Sequence, residues 1–189
     1  MGNPLQERRT AAELASVGQV IEFNEKIGSF DKLSEIVEAD LAALEVDKVP
    51  PLWRDSVVHG ELQFGFIMAV DGIPTIMGNA SAKVDAVCQR CLEPFRQALS
   101  VEPKLLLVRY GDSVNEFEDY EVWELQEEAL RPQDIVEEML IMAMPFSAMH
   151  DNMEDCKAFA SDDDNATDLR RPFAALASQM QQVKKDLEE

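Results

Sequence analysis

Between residues 61 and 86 the hydrophobic side chains keep a period of two. Leu62, Phe64, Phe66, Met68 and Val70 alternate with Glu61, Gln63, Gly65, Ile67 and Ala69. Ala80, Ala82, Val84 and Ala86 alternate with Asn79, Ser81, Lys83 and Asp85. A period of two is a strand with one buried face. Asp71-Gly72 between the runs suits a two-residue hairpin turn, whose positions need positive φ. Further on, Phe95, Gln97, Leu99 and Val101 share a face, and Leu105 to Val108 form a more buried run. Residues 55–110 are therefore predicted to be an antiparallel meander of three long strands. Weaker strand signals lie at 19–27 and around 120–125.

Two segments have the helical period instead. Leu33, Ile36, Val37, Leu41 and Leu44 fall on one stripe, and Pro50-Pro51 lies beyond its end, which predicts a helix over 31–45. Ile135, Val136, Met139, Leu140 and Ala143 make a second apolar face. Pro132 suits the first helical position and Pro145 ends the run, giving 132–144. Pro172 can open a closing helix over 172–187, after the acidic stretch Ser161 to Asp168. The expected fold class is α+β: an antiparallel sheet, a meander that could curl toward a barrel, packed with a few helices. Phe64, Phe66, Phe95, Leu107, Val136 and Leu140 are among its expected core residues. The expected organisation is a flexible N-terminus over 1–18, a core domain over 19–150, and an acidic loop with a C-terminal helix over 151–189.

Length changes little in this picture: 189 residues suit one domain or two small ones. Charge changes more. Seventeen Lys+Arg stand against 37 Asp+Glu, a net −20. Residues 1–111 hold 16 acids and 11 bases, net −5; residues 112–189 hold 21 acids and 6 bases, net −15. Such a field opposes bare nucleic acid and anionic membranes, and favours a basic partner or a metal. No run reaches the roughly 18 apolar residues of a membrane span, and the first ten residues lack the apolar stretch of a signal peptide. The expected compartment is the cytoplasm.

Three cysteines, Cys88, Cys91 and Cys156, do not make a disulfide framework. Cys88-Gln89-Arg90-Cys91 lies between two alternating segments, so it reads as a turn. A redox C-x-x-C belongs instead at a helix start. Two thiolates on a tight turn are half of a zinc knuckle, and Cys156 and His150 are the donors that could complete a Cys₃His site. A structural zinc is the one cofactor this pattern suggests; three small buried thiols with no metal are the alternative. His59 has no acidic or nucleophilic companion in a recognisable pattern, and no Ser/His/Asp order stands out. The chain does not read as an enzyme, and no small-molecule substrate suggests itself.

One stretch escapes the acidic trend. Residues 81–110 carry Lys83, Arg90, Arg96, Lys104 and Arg109 against Asp85, Glu93 and Glu102, net +2. Lys83 and Arg96 should point away from the apolar face, with Arg90 at the turn tip, as a small contact surface for RNA or another partner.

These residues resemble a known family. Val87-Cys88-Gln89-Arg90-Cys91-Leu92-Glu93-Pro94-Phe95, the helix Asp134 to Leu140, Met144-Pro145, the run His150 to Cys156, and Arg171-Pro172-Phe173-Ala174-Ala175-Leu176 are similar in order and spacing to the YceD family, the large ribosomal RNA subunit accumulation proteins of bacteria and plastids. The likeness spans about residues 55–180. It implies a non-enzymatic, cytoplasmic factor in the synthesis, processing or stability of 23S ribosomal RNA, hence in large-subunit assembly. It carries the family's C-x-R-C over to Cys88, Arg90 and Cys91; many relatives have a second cysteine cluster where this chain has Cys156. The implied partner is ribosomal RNA or a large-subunit precursor. The charge keeps a second function open, an acidic module that shields a basic ribosomal or other protein. A thiol or zinc-dependent enzyme ranks third.

Overall fold

The computed structural model describes residues 2–67, 72–111 and 119–156. In chain order these form β1 (Arg9–Thr10), α1 (Ala11–Ser16), β2 (Val20–Lys26), α2 (Asp31–Leu41), β3 (Val57–Ile67), β4 (Ile73–Val87), β5 (Pro94–Val101), β6 (Lys104–Arg109), β7 (Glu121–Leu125), β8 (Ala129–Leu130) and α3 (Pro132–Met142). Met1–Asp151 is one unit; in the second, Asn152–Glu189, the described residues carry a single 3-10 turn at Met153–Asp155. No helix of the described residues is long and apolar enough to cross a membrane.

The fold is α+β, and its six-stranded sheet is open and mostly antiparallel, in the order β2-β3-β4-β6-β7, with β5 beside β4. The meander is present. β3 and β4 pair without a slip from Val58↔Ala82 to Ile67↔Ile73. β5 and β6 are one long strand interrupted at Glu102-Pro103: Val101 faces Ala80 and Lys104 faces Met77, so the register is unchanged across the break. Pro103 has no N–H to give to a ladder. The described β3–β4 pairing ends at Ile67↔Ile73. Met68 to Asp71 lie outside the described residues, and Gly72 has the positive φ of 63° that a glycine favours.

The inward face carries the core. Leu62, Phe64, Ile76, Val84 and Leu105 are almost fully buried, each worth roughly 1.5–3 kcal/mol against exposure. Leu33, Val37 and Leu41 of α2 and Ile135, Val136 and Leu140 of α3 complete it. Both helices stop earlier than their stripes suggest, at Leu41 and Met142. Phe66 is not core: it is 38% exposed, because alternation puts it on the covered face but beyond the end of the cover. Phe95 is only half-buried. β7 joins β6 in parallel, Leu105↔Glu121 to Arg109↔Leu125, where an antiparallel sheet was expected. The acidic loop 161–168 and the helix 172–187 lie outside the described residues.

Residues 2–16 make defined contacts where a flexible end was expected. Leu5 and Leu14 are buried. Thr10 and Glu13 form a reciprocal capping box on α1, Glu13 N donating to Thr10 Oγ1 and Thr10 N to Glu13 Oε2. The reason is a strip formed by residues 129–138. Arg9 and Thr10 pair with Leu130 and Ala129, and Gln133 N donates to Leu5 O at 2.9 Å. The Gln133 side-chain amide donates to Ser29 O. The buried Glu137 accepts from Leu33 N at 3.0 Å. That last bond satisfies an N–H in the first turn of α2, a helix with no capping side chain of its own, and places a carboxylate at the positive end of its dipole.

Candidate functional site

Cys88 and Cys91 sit on the turn between β4 and β5, and no helix begins there. The turn closes on itself: Leu92 N donates to Cys88 O at 2.8 Å and Cys88 N to Glu93 O at 3.0 Å. Leu92 has φ 58°, the only positive-φ residue besides glycines among those described. A side chain in that region costs roughly 1–2 kcal/mol, while glycine costs about 0.5–1 kcal/mol in chain entropy. Leu92 is also 65% exposed, so truncation removes little burial. Leu92→Gly is expected to hold stability or raise it by up to about 1 kcal/mol, and Leu92→Val, β-branched, to lower it by about 1–2 kcal/mol. Urea midpoints of the two variants test this; a glycine variant weaker than the valine one would contradict the strain.

The segment after α3 closes over the turn. Gln89 N donates to Ala148 O at 2.9 Å and Arg90 Nη2 to His150 O at 2.9 Å. The Phe95 and His150 rings lie 4.8 Å apart, centroid to centroid, tilted by 40°. Cys91 Sγ is 3.6 Å from His150 Nδ1. Cys88, Cys91 and His150 each offer one ligand atom, and these atoms lie within 4.8 Å of one another; Cys156, the fourth expected donor, is buried and lies in the second unit. All three cysteines are buried. Burial pushes the Cys88 thiol up, but the backbone N–H groups of Cys91, His150 and Arg90 and the His150 side chain outweigh it, holding the group down at about 5 against an ordinary 9.0. Donors aimed at sulfur favour a thiolate.

The donor set fits a tetrahedral zinc ion. With Zn–S about 2.3 Å and Zn–N about 2.1 Å, a tetrahedral edge is about 3.6 Å from sulfur to nitrogen and about 3.8 Å from sulfur to sulfur. The Cys91–His150 separation matches the first value, and no separation among the three exceeds 4.8 Å, beyond the second by a distance small side-chain rotations can close.

Two residues that hold the turn escape the sequence reading. Asp40 Oδ2 accepts from Val87 N at 2.7 Å, and Lys48 pairs with Glu93 at 2.7 Å. Asp40 lies in the last turn of α2, where the helix dipole disfavours a carboxylate. An acid in that position is a visible signal. Nothing local in the sequence marks Phe95 as the ring against His150.

The three basic residues separate. Lys83 is exposed on the outer sheet face and makes no ion pair among the described residues. Arg96 is beside it, one strand over, 3.6 Å from Asp85. Asp85 is buried, which raises its carboxyl against the counter-pull of Arg96. Arg90 is half-buried and committed to the His150 carbonyl.

Comparison with known proteins adds the last observation. A family model described as large ribosomal RNA subunit accumulation protein YceD matches residues 76–178, more than half of the chain and all of the residues above from Met77 onward. Searches of curated proteins and of solved structures returned no match. With that match over the Cys88–Cys91 turn, α3 and the His150–Cys156 segment, the chain belongs to the YceD family of large ribosomal RNA subunit accumulation proteins.

Proposed function

We propose that this protein is a non-enzymatic assembly factor of the large ribosomal subunit, acting in the cytoplasm on the synthesis, processing or stability of 23S ribosomal RNA. The family match over residues 76–178 is the observation that carries this reading. Cys88, Cys91, His150 and Cys156 hold a structural zinc in it. The ion ties the β4–β5 turn to the segment after α3, and the residues around it bind, orient and bury the donors. Lys83, Arg96 and, at the turn, Arg90 form the side that meets ribosomal RNA or a precursor particle. The domain division that goes with it is a YceD-type core over 19–150 and an acidic loop with a C-terminal helix over 151–189.

The test is the ribosomal RNA of cells lacking the protein. A fall in 23S RNA relative to the small-subunit RNA is expected, with the tagged protein sedimenting with large-subunit precursors. Unchanged RNA ratios would sink the proposal. The net charge of −20 favours one second reading, an acidic module that shields a basic ribosomal protein. Crosslinks to such a protein, with none to RNA, would put it first.

A further inference from the structure

On the outer face of the sheet a groove of about 640 Å³ runs between the 52–56 turn and strands β3, β4 and β5. Its floor and walls are chemically divided. At one end are Leu52, 67% exposed, and Val57, 41% exposed, beside the exposed ring of His59. His59 Nε2 and Ser81 Oγ are hydrogen-bonded at 3.0 Å, so the ring is oriented. At the other end are the cations Lys83 and Arg96. Register sets the spacing: His59 faces Ser81, Ser81 faces Ser100, Lys83 faces Ala98, and Arg96 faces Asp85. From the His59 row to the Arg96 row is four residues along β4, about 13 Å.

The charge in this groove differs from that of the chain. Its acid Asp55 is neutralised by Lys26 at 2.6 Å, and Asp85 is buried beneath Arg96. What projects is positive, on a protein of net −20. A duplex, with two rigid rows of phosphates, would bring its charge against the acidic surface as well. A single strand can enter the groove with its phosphates on the two cations and lay an unstacked base on an aromatic or apolar surface.

We propose that this groove binds a short stretch of single-stranded RNA, with consecutive phosphates on Lys83 and Arg96 and a base against His59, Val57 and Leu52. The inference rests on the ribosomal RNA reading above and names the surface through which it acts. Contacts of this kind position the strand without reading its sequence.

The test is fluorescence anisotropy of the full chain with labelled decauridylate across 50–200 mM salt. Two neutralised phosphates give a slope of about −1.4 in log K against log salt, close to a sevenfold loss over that range. Lys83→Glu and Arg96→Gln should each flatten the slope by about 0.7. Ala98→Glu, which puts a carboxylate in the floor, should remove binding. Lys104→Glu is the control: Lys104 is also exposed and without an ion pair among the described residues but lies outside the groove, so its slope should stay that of the parent. Lys83→Glu, Ala98→Glu and Lys104→Glu change exposed side chains and should melt as the parent does. Arg96→Gln also takes the counter-charge from the buried Asp85 and should melt lower, so Lys83→Glu and Ala98→Glu carry the test.

Groove variants that bind like the parent, or a Lys104→Glu variant that loses as much as Lys83→Glu, would overturn the groove and leave the RNA reading standing. A labelled polyglutamate peptide that binds as tightly as decauridylate would overturn it in favour of an acidic protein segment. A parent that binds neither decauridylate nor a 23S transcript would take down the RNA reading and the groove together.

Discussion

Cys88→Ser is expected to lose stoichiometric zinc and to melt well below the parent. Cys91 and His150 are 59 residues apart in sequence, so an ion shared by them acts on the unfolded chain as a cross-link does. Closing a loop of that length is worth roughly 2–5 kcal/mol, or about 5–15 °C in a chain of this size. The serine also leaves the N–H donors around position 88 facing a neutral hydroxyl in place of a thiolate. Elemental analysis of protein purified without chelator should find about one zinc per parent chain and far less in the variant. A chelator should bring the parent down to the melting point of the variant and leave the variant unmoved. Equal melting of the two proteins, or a parent nearly free of metal, would reject the zinc centre.

The second large effect lies in the sheet. A methyl group on Gly60 would overlap the Asn79 carbonyl oxygen and meet Ala80 Cα and Phe23 Cζ, each at 2.8 Å. Two of these three obstacles are backbone of the neighbouring strand, which cannot rotate away. Gly60→Ala is therefore expected to cost roughly 3 kcal/mol or more, beyond ordinary overpacking. Gly65→Ala, on the same strand, is the matched control. Its nearest neighbour is Thr75 Oγ1 at 3.7 Å, an ordinary contact, and loss of glycine's unfolded-state freedom should leave it neutral or up to about 1 kcal/mol more stable. Thermal and urea melts of the pair give the answer directly; a Gly60→Ala protein as stable as Gly65→Ala would mean that β3 can shift away from β4.

Much of the fold is written in local periods. Alternation from Leu62 to Phe64 and from Ala80 to Ala86 marks β3 and β4, and the stripe Leu33, Val37, Leu41 marks α2 because its spacing repeats where a helix turns. The Cys/His cluster is legible for another reason: the chain has few thiols and histidines, and the chemistry of zinc asks for them together. What alternation does not encode is direction and extent. It identifies β7 as a strand but is the same for a parallel as for an antiparallel neighbour. It assigns Phe66 a face but not the point where the covering helices end. The N-terminal helix had a local signal, the capping box Thr10-Ala11-Ala12-Glu13, which weighs little beside a charged, polar start. Its docking had none, because Leu5 and Arg9 find their partners more than 120 residues away, at Gln133 and Leu130. The outer groove has no period either, since it arises where a turn rises beside an exposed face.

The strip 129–138 has a consequence for the order in which the protein takes shape during its own synthesis. Leu5, Arg9, Ser29 and Leu33 all wait for backbone or side-chain partners that the ribosome adds about a hundred residues later. At roughly 5–20 residues per second, the N-terminal third is outside the tunnel for many seconds with the start of α2 uncapped and Leu5 undocked. The β3–β4 hairpin can close as soon as it emerges, because its partners are neighbours in the chain. The sheet thus becomes the platform on which the earliest-made residues settle last, and a nascent chain stalled before residue 129 should present its N-terminal segment to proteases while the hairpin is already protected.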